Sequence, residues 1–303
     1  MIDTKLRKIE YYLLLLAVLI VGLMALGAGV RTMNAGLSCP DWPLCFGKVV
    51  PDFHVGVWFE FVHRAYAGIV ALLFAVAVVW VSRSKEVPQG ARRAAKWGAA
   101  CLALQIVMGG LTVLLLVKAV IVTGHLLLAT LFLASVLWML FSIRSVRLSP
   151  VRASVSGLVP AFLARFAFAL PLLVFLQIAL GGLVASTYAG SVCVDWPLCN
   201  GQWVPTLQGA IGLQIIHRFV AYGLVLGYLG LSIWARLRHR SLSPEVAILF
   251  YVSGAVVSLQ TVVGILNLLH FIPPHITVPH QTLAIILFTL QLRLWYIVRD
   301  RAV

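Results

Sequence analysis

Long apolar runs separated by short, mostly basic polar stretches dominate the chain. Eight runs, at about residues 11–30, 57–82, 94–117, 119–143, 162–187, 209–235, 245–269 and 276–297, each approach the ~20 residues needed to cross a bilayer core. The pattern predicts an all-α polytopic membrane protein with eight transmembrane helices. Lys5, Arg7 and Lys8 precede the first run, as they would in a secretory signal. Its apolar stretch exceeds the ~7–15 residues of a signal h-region, so it reads as an uncleaved helix.

The basic residues between the runs set an orientation. One side collects the N-terminal Lys5, Arg7 and Lys8, the cluster from Arg83 to Lys96, Arg144, Arg147, Arg152 and Arg165, the group Arg236, Arg238 and Arg240 beside His239, and Arg293, Arg299 and Arg301. The other side holds only Arg31, Lys48 and Lys118. By the positive-inside rule both termini are cytoplasmic and the loops after runs one and five face outward. This placement also accounts for the formal charge of +14. The charges lie in loops between spans and form no groove-like patch, so nucleic acid is not an expected partner and membrane lipid is. The 62% hydrophobic and 11% charged composition, against about 25% charged in soluble domains, agrees.

The spans repeat. Cys39–Cys45 reads C-P-D-W-P-L-C and Glu60–Arg64 reads E-F-V-H-R; Cys193–Cys199 reads C-V-D-W-P-L-C and Gln214–Arg218 reads Q-I-I-H-R. Cys39 to Cys193 and His63 to His217 share an offset of 154 residues. Gly27-Ala28 corresponds to Gly181-Gly182 at the same offset. At an offset of 155, Gln105-Ile-Val-Met-Gly109 recurs as Gln260-Thr-Val-Val-Gly264, and His125 recurs as His280. The chain therefore divides into two four-helix halves, 1–150 and 151–303, joined near the basic, serine-rich stretch Ser145–Gly157. Four spans per half preserve orientation, so the halves form pseudo-symmetric parallel bundles. The glycines in the spans read first as close helix packing in lipid; Gln105 and Gln260 would hydrogen-bond across helices, line the sites or, as the safer reading, pack.

Four histidines, His63, His125, His217 and His280, lie inside spans. A single membrane histidine commonly bonds between helices, but four at matching places in a repeat argue for function. Each falls near the outer end of its span, on the order of 10 Å below the outer surface at the α-helical rise. The repeat pairs His63 with His125 and His217 with His280. Two histidines on facing helices are a usual way to grip a haem iron. Ala67, Ala129, Ala221 and Ala284 follow the histidines by four positions and leave room on the same helix face for a flat macrocycle. A zinc site lacks a compact set of thiolates and imidazoles, and the cysteines are spaced C-x5-C. Arg64 and Arg218 directly follow two histidines and would either meet haem propionates or snorkel to lipid phosphates.

The outward Cys39–Cys45 and Cys193–Cys199 pairs face an oxidising compartment, where a disulfide within each is expected. Such a bridge would staple a lid over the haem site or take part in redox chemistry. Cys101, inside the third run, reads as a small apolar residue. The halves differ at Glu60, which stands three residues before His63 where Gln214 stands before His217. A carboxylate on the histidine's helix face can accept a proton or stabilise positive charge, and an amide does neither well. The first half thus reads as a reaction site and the second as a holding site for a permanent cofactor.

These motifs resemble the haem A synthase family over nearly the whole chain: eight spans, duplicated four-helix halves, E-x-x-H-R at Glu60–Arg64, H-R at His217–Arg218, the downstream His125 and His280, and the outward cysteine-pair loops. The resemblance implies an oxidoreductase that converts haem O to haem A. The porphyrin C8 methyl becomes a formyl group through a hydroxymethyl intermediate (haem I), with oxygen from water. It further implies haem b held by His217 and His280, substrate haem held by His63 and His125, and Glu60 assisting at the methyl. Haem O synthase as a partner, an unidentified electron acceptor and a homo-oligomer in the inner membrane complete the expectation. A di-haem transmembrane electron-transfer cytochrome b would use the same histidines. It would need no Glu60/Gln214 difference and would usually place its haems on opposite membrane sides. A transporter of parallel repeats would have no reason for four paired histidines.

Overall fold

A computed structural model describes residues 2–148, 161–238 and 242–299. The chain divides into two compact units, Met1–Ser154 and Val155–Val303. Among the described residues eight helices are long and apolar enough to cross a membrane, and isolated β bridges pair Cys45 with Lys48 and Cys199 with Gln202 in loops. Most of the expected Ser145–Gly157 junction, together with Arg152, His239, Arg240 and Arg301, lies outside the described residues.

The first unit holds α1 (Ile2–Thr32), α2 (Val55–Arg83), α3 (Gln89–Leu114) and α4 (Ala119–Arg147). They pack as a ring: α1 on α2, α2 on α3, α3 on α4 and α4 back on α1. The second unit holds a short α5 (Ala161–Phe166), then α6 (Ala169–Ser186), α7 (Gly209–Leu237), α8 (Pro244–Leu269) and α9 (Pro274–Val298). Helices α6 to α9 close a ring in the same way. Each ring is a four-helix bundle in which short connections make sequential helices neighbours.

Two boundaries differ from the hydropathy pattern. Helix α1 begins at Ile2, not near residue 11. Its polar first turns continue the helix because Leu6 and Ile9 are buried and Glu10 accepts a 2.6 Å hydrogen bond from Arg147. The fifth run is split, with α5 ending at Phe166 and α6 starting at Ala169. Pro171 has no N–H to offer the carbonyl four residues earlier, so the ladder breaks at Ala167.

The buried core lies toward one end of each bundle. In α4 the buried apolar residues run from Phe132 to Ile143, and in α2 from Val70 to Val81, past the histidines. In the second unit Leu163, Leu242, Val246, Phe250, Leu294 and Ile297 form the equivalent cluster. The histidine ends are less tightly filled, and the helix ends there are fixed by unusual turns. Leu116 and Val117 (φ 52° and 49°) end α3, and Phe271 and Ile272 (φ 59° and 60°) end α8. In each, the second residue's N–H returns 2.7 Å to a carbonyl five residues back, Val117 to Thr112 and Ile272 to Asn267. Such closure satisfies an orphan helix carbonyl, usually with glycine in the left-handed position. Here non-glycine residues carry the strain, and the turns aim α4 and α9, which bear His125 and His280.

Candidate functional site

His63 lies in the third turn of α2, His125 in the second turn of α4, His217 in the third turn of α7 and His280 in the second turn of α9. In the first unit His63 and His125 are within electrostatic reach of each other. In the second, His217 and His280 are likewise within reach. All four are half-buried. The Nδ1 atoms of His63, His125 and His217 are buried and unpartnered.

Every one of the four imidazoles is backed by a glycine on the preceding long helix. A methyl group placed on Gly27 would stand 3.0 Å from His63 Cε1, and on Gly109 3.3 Å from His125 Cε1. On Gly181 it would stand 3.1 Å from His217 Cε1, and on Gly264 2.7 Å from His280 Cε1. Ordinary carbon contacts begin near 3.4 Å, so only glycine leaves these rings where they are. The glycines that hydropathy reads as helix packing are cradles for the histidines.

The side chain one turn before three of these glycines also faces the site. Gln105 Nε2 lies 3.3 Å from His125 Nε2, and Gln260 Nε2 lies 3.5 Å from His280 Nε2. His280 Nδ1 is 3.2 Å from the Gln260 backbone carbonyl, and Gln177 Nε2 donates 2.9 Å to the His217 carbonyl. Sequence reasoning passed over Gln177 and took Gln105 and Gln260 as packing. The available signal was Q-x-x-x-G, which occurs at Gln105–Gly109, Gln177–Gly181 and Gln260–Gly264, a one-turn spacing that puts both residues on one face.

Above each histidine pair lies a cross-linked loop. Cys39 is bonded to Cys45 and Cys193 to Cys199, and all four are nearly inaccessible. Each loop ends in a tight hairpin, with Cys45 bridged to Lys48 and Cys199 to Gln202. The hairpin residues have positive φ, 54° at Phe46 and 69° at Gly47, 52° at Asn200 and 78° at Gly201. Two consecutive left-handed residues make a type I′ turn, for which Asn-Gly is the favoured pair. An aspartate stitches each turn. Asp41 accepts from the N–H groups of Phe46 (2.6 Å) and Gly47 (2.8 Å), and Asp195 from those of Asn200 (2.6 Å) and Gly201 (2.9 Å). The Gly47 N–H, then that of Phe46, and the Arg64 charge hold the Asp41 carboxyl below its ordinary value; Gly201, Asn200 and Arg218 do the same for Asp195.

The arginines anchor these loops. Arg64 Nη1 donates to the carbonyls of Asp41 (2.8 Å) and Leu44 (2.7 Å), and Nη2 to that of Cys39 (3.3 Å). Arg218 repeats the pattern to Asp195 (3.1 Å), Leu198 (2.9 Å) and Cys193 (2.9 Å). The guanidinium fork suits several carbonyls at once. Glu60 is buried beneath the first loop. One carboxylate oxygen accepts the Cys39 N–H at 2.9 Å and the other pairs with Arg64 Nη2. Gln214, also buried, stands at the corresponding place in the second unit. The loops differ too at their tryptophans. Trp42 rests on α3, where a methyl on Gly110 would meet its ring at 3.2 Å, and Trp196 donates 2.8 Å to the Tyr222 hydroxyl.

The donor set tests what could be held here. Among the described residues no cluster of three or more His, Cys, Asp or Glu is placed to bind a metal ion. Each unit offers two imidazoles, with glycine behind each and alanine one turn on. That set fits an iron whose remaining four ligands come from a porphyrin, and the residues present fit the group.

Residues 10–55 and 51–292 match the COX15-CtaA family, described as a cytochrome oxidase assembly protein. The chain is similar to the haem A synthase of Roseobacter denitrificans, at 27% identity over 95% of this chain and 87% of that one. It is similar to the haem A synthase of Paracoccus denitrificans at 26% identity, covering 94% and 86%. Over a shorter stretch, 69% of each chain, it is 32% identical to the haem A synthase of Shouchella clausii.

Proposed function

The chain belongs to the COX15-CtaA family of cytochrome oxidase assembly proteins, and from that premise we propose how its residues perform the oxidation of haem O to haem A. It is an integral membrane oxidoreductase. The reaction takes the C8 methyl of haem O to a formyl group through a hydroxymethyl stage, with water as the oxygen source. Each two-electron oxidation sheds two protons, so the site must stabilise positive charge and pass protons on, and an acceptor must take the electrons.

In our reading the first unit is the reaction site. His63 and His125 hold the iron of the substrate haem and fix the macrocycle beneath the Cys39–Cys45 loop. Glu60 holds negative charge one turn before His63, where it stabilises positive charge developing at the methyl or takes up its proton. The Cys39 N–H and Arg64 keep that carboxylate aimed, so electrostatic preorganisation is built into the lid. His217 and His280 hold a haem b, which supplies one-electron acceptance when bound. Gln214 cannot act as Glu60 does, which suits a site that performs no chemistry on its ligand. Arg64 and Arg218 reach propionates only from guanidiniums that already anchor the loops. Both termini are cytoplasmic and the sites lie near the outer face, as the loop charges indicate. Haem O synthase as supplier of the substrate, an outer-side or membrane electron acceptor and a homo-oligomer belong to the same reading.

The observation that carries it is the pair of glycine-backed histidines in each unit combined with Glu60 in the first unit only. Pigment extraction from the purified protein tests it, with haem b together with haem O or haem A expected. Glu60→Ala should keep haem b and accumulate haem O. Normal haem A production by that variant would remove Glu60 from the mechanism, and haem b alone in the wild type would favour a cytochrome.

A further inference from the structure

Three turns below the histidines, a layer that is apolar in the first unit is polar in the second. Tyr228 follows His217 by 11 residues, Gln291 follows His280 by 11, and Ser253 precedes Gly264 by 11. Eleven residues make about three α-helical turns, so the three side chains stand at one level, on the inward faces of α7, α9 and α8. All are buried, none above 2% exposure. Gln291 Nε2 donates 2.7 Å to Ser253 Oγ. Gln291 Oε1 and the Tyr228 hydroxyl are buried and unpartnered. The first unit carries Phe74, Val136 and Gly98 at these places, and there a methyl on Gly98 would stand 2.6 Å from Phe74 Cζ. By the repeat, Ser253 and the Gln291 amide bonded to it face the hydroxyl end of the Tyr228 ring. Helices α7 and α8 also close on each other at this level, where the Ser232 hydroxyl donates 2.8 Å to the Phe250 carbonyl.

We propose that Tyr228, Ser253 and Gln291 bind a water molecule inside the membrane span of the second unit. The two unpartnered atoms are complementary. A phenol hydroxyl has a hydrogen to donate, and an amide oxygen only accepts. One water takes the first bond and gives the second, and the Ser253 hydroxyl forms the third side of the site. Three polar partners are what an internal water typically has. At this depth no bulk solvent can satisfy either atom, and a buried polar group left unpaired costs more than the bond it lacks. The set contains no carboxylate and no imidazole, so a small neutral ligand suits it better than an ion. The water joins α7 to α9, the two helices whose histidines face each other three turns above. The first unit, with Phe74, Val136 and Gly98, is dry at the same level. This site is independent of which unit performs the chemistry.

Hydroxyl-radical footprinting of the full chain, as purified and placed in lipid nanodiscs, reads the site with water itself as the probe. Radicals made by a brief X-ray pulse label side chains that water touches. Tyr228 should be labelled although it is buried. Phe74, equally buried, is the dry control, and Tyr188, exposed in an outer loop, is the wet one. Labelling of Tyr228 no greater than that of Phe74 overturns the proposal. Thermal melting gives a second reading, in which the sign decides. Tyr228→Phe removes a water-bonded hydroxyl and should lower the melting temperature by roughly 2–6 °C, the scale of one hydrogen bond. A higher melting temperature would mean that the hydroxyl was dry and unpaired, and overturns the proposal. Gln291→Val should also melt lower, and adding Tyr228→Phe to it should cost nothing further, because one water serves both side chains. Additive losses overturn the shared water. A lower melting temperature in Tyr228→Phe without labelling of Tyr228 in the wild type would mean a direct bond to Gln291, and overturns it as well.

Discussion

Filling the glycine cradles tests the site most directly, because the structure ranks the outcomes in advance. Alanine at Gly264 would place its methyl 2.7 Å from the His280 ring; the distances are 3.0 Å for Gly27 and His63, 3.1 Å for Gly181 and His217, and 3.3 Å for Gly109 and His125. With ordinary contact starting at 3.4 Å, each ring must retreat by a few tenths of an ångström, and His280 furthest. Overpacking of this kind costs roughly 1–3 kcal/mol, partly offset by the ~1 kcal/mol that alanine gains over glycine inside a helix. Folding should therefore suffer little, whereas the displaced imidazole should weaken iron binding about 10–100-fold, as loss of a ligand's supporting contacts does. Gly223 is the control. It lies in α7 and a methyl there meets nothing within 4 Å, so Gly223→Ala should bind haem normally and melt at or above the wild-type temperature. The assay is the haem-to-protein ratio by pyridine haemochrome, with thermal melting in detergent. Gly181→Ala and Gly264→Ala should lose haem b, and Gly27→Ala and Gly109→Ala should lose haem O and haem A. Wild-type haem content in Gly181→Ala and Gly264→Ala would refute the cradle argument.

Two further predictions concern the lids. Asp41 is ionised more readily in the folded loop than in an unfolded chain, so its contribution is intact at neutral pH and disappears as pH falls below the ordinary aspartate value of 3.8; reduction of Cys39–Cys45 by a small phosphine should accelerate over that window in the wild type and be fast and pH-independent in Asp41→Asn. Phe46, held at φ 54° where Asn200 stands in the other loop, should be replaceable by asparagine with a gain of up to about 1 kcal/mol, read as reduction of Cys39–Cys45 slowed up to about fivefold; no slowing would mean that the loop opens without unwinding its turn.

Span number, the repeat and the cysteine loops were all legible in the sequence because each has a signal written in residue type: apolar length, identical spacing, paired thiols. Other features were not, for physical reasons. Hydropathy measures the cost of entering lipid, so it is blind to α1 continuing outside the apolar window on the strength of Glu10 and Arg147. The partners of Arg64 and Arg218 are backbone carbonyls, which every residue carries and no motif marks. The same is true of the His217 carbonyl that receives Gln177. Contacts to the main chain are the part of a site that a one-dimensional reading sees least.

Duplication supplies a way to separate holding from doing. What the two units share is the apparatus for holding a flat, iron-bearing ligand: a glycine behind every imidazole, an arginine gripping three loop carbonyls, an aspartate closing the hairpin. What they do not share falls around the same places. Glu60 stands against Gln214 beneath the loop, Leu23 against Gln177 behind the histidine, and Gly110 under Trp42 against Ile265, while Trp196 bonds to Tyr222, which replaces Gly68. Three of these differences put a fixed polar contact or a bulkier side chain in the second unit where the first has an apolar contact or a notch. The fourth puts a charge in the first unit where the second has an amide. The direction is not uniform, since Tyr66 bonds to the Leu19 carbonyl at 2.9 Å in the first unit where the second has Val220. The difference that bears on chemistry is therefore the charge: Glu60, held by the Cys39 N–H beneath the first loop, can stabilise positive charge or take a proton on a ligand held there, and Gln214 can do neither well.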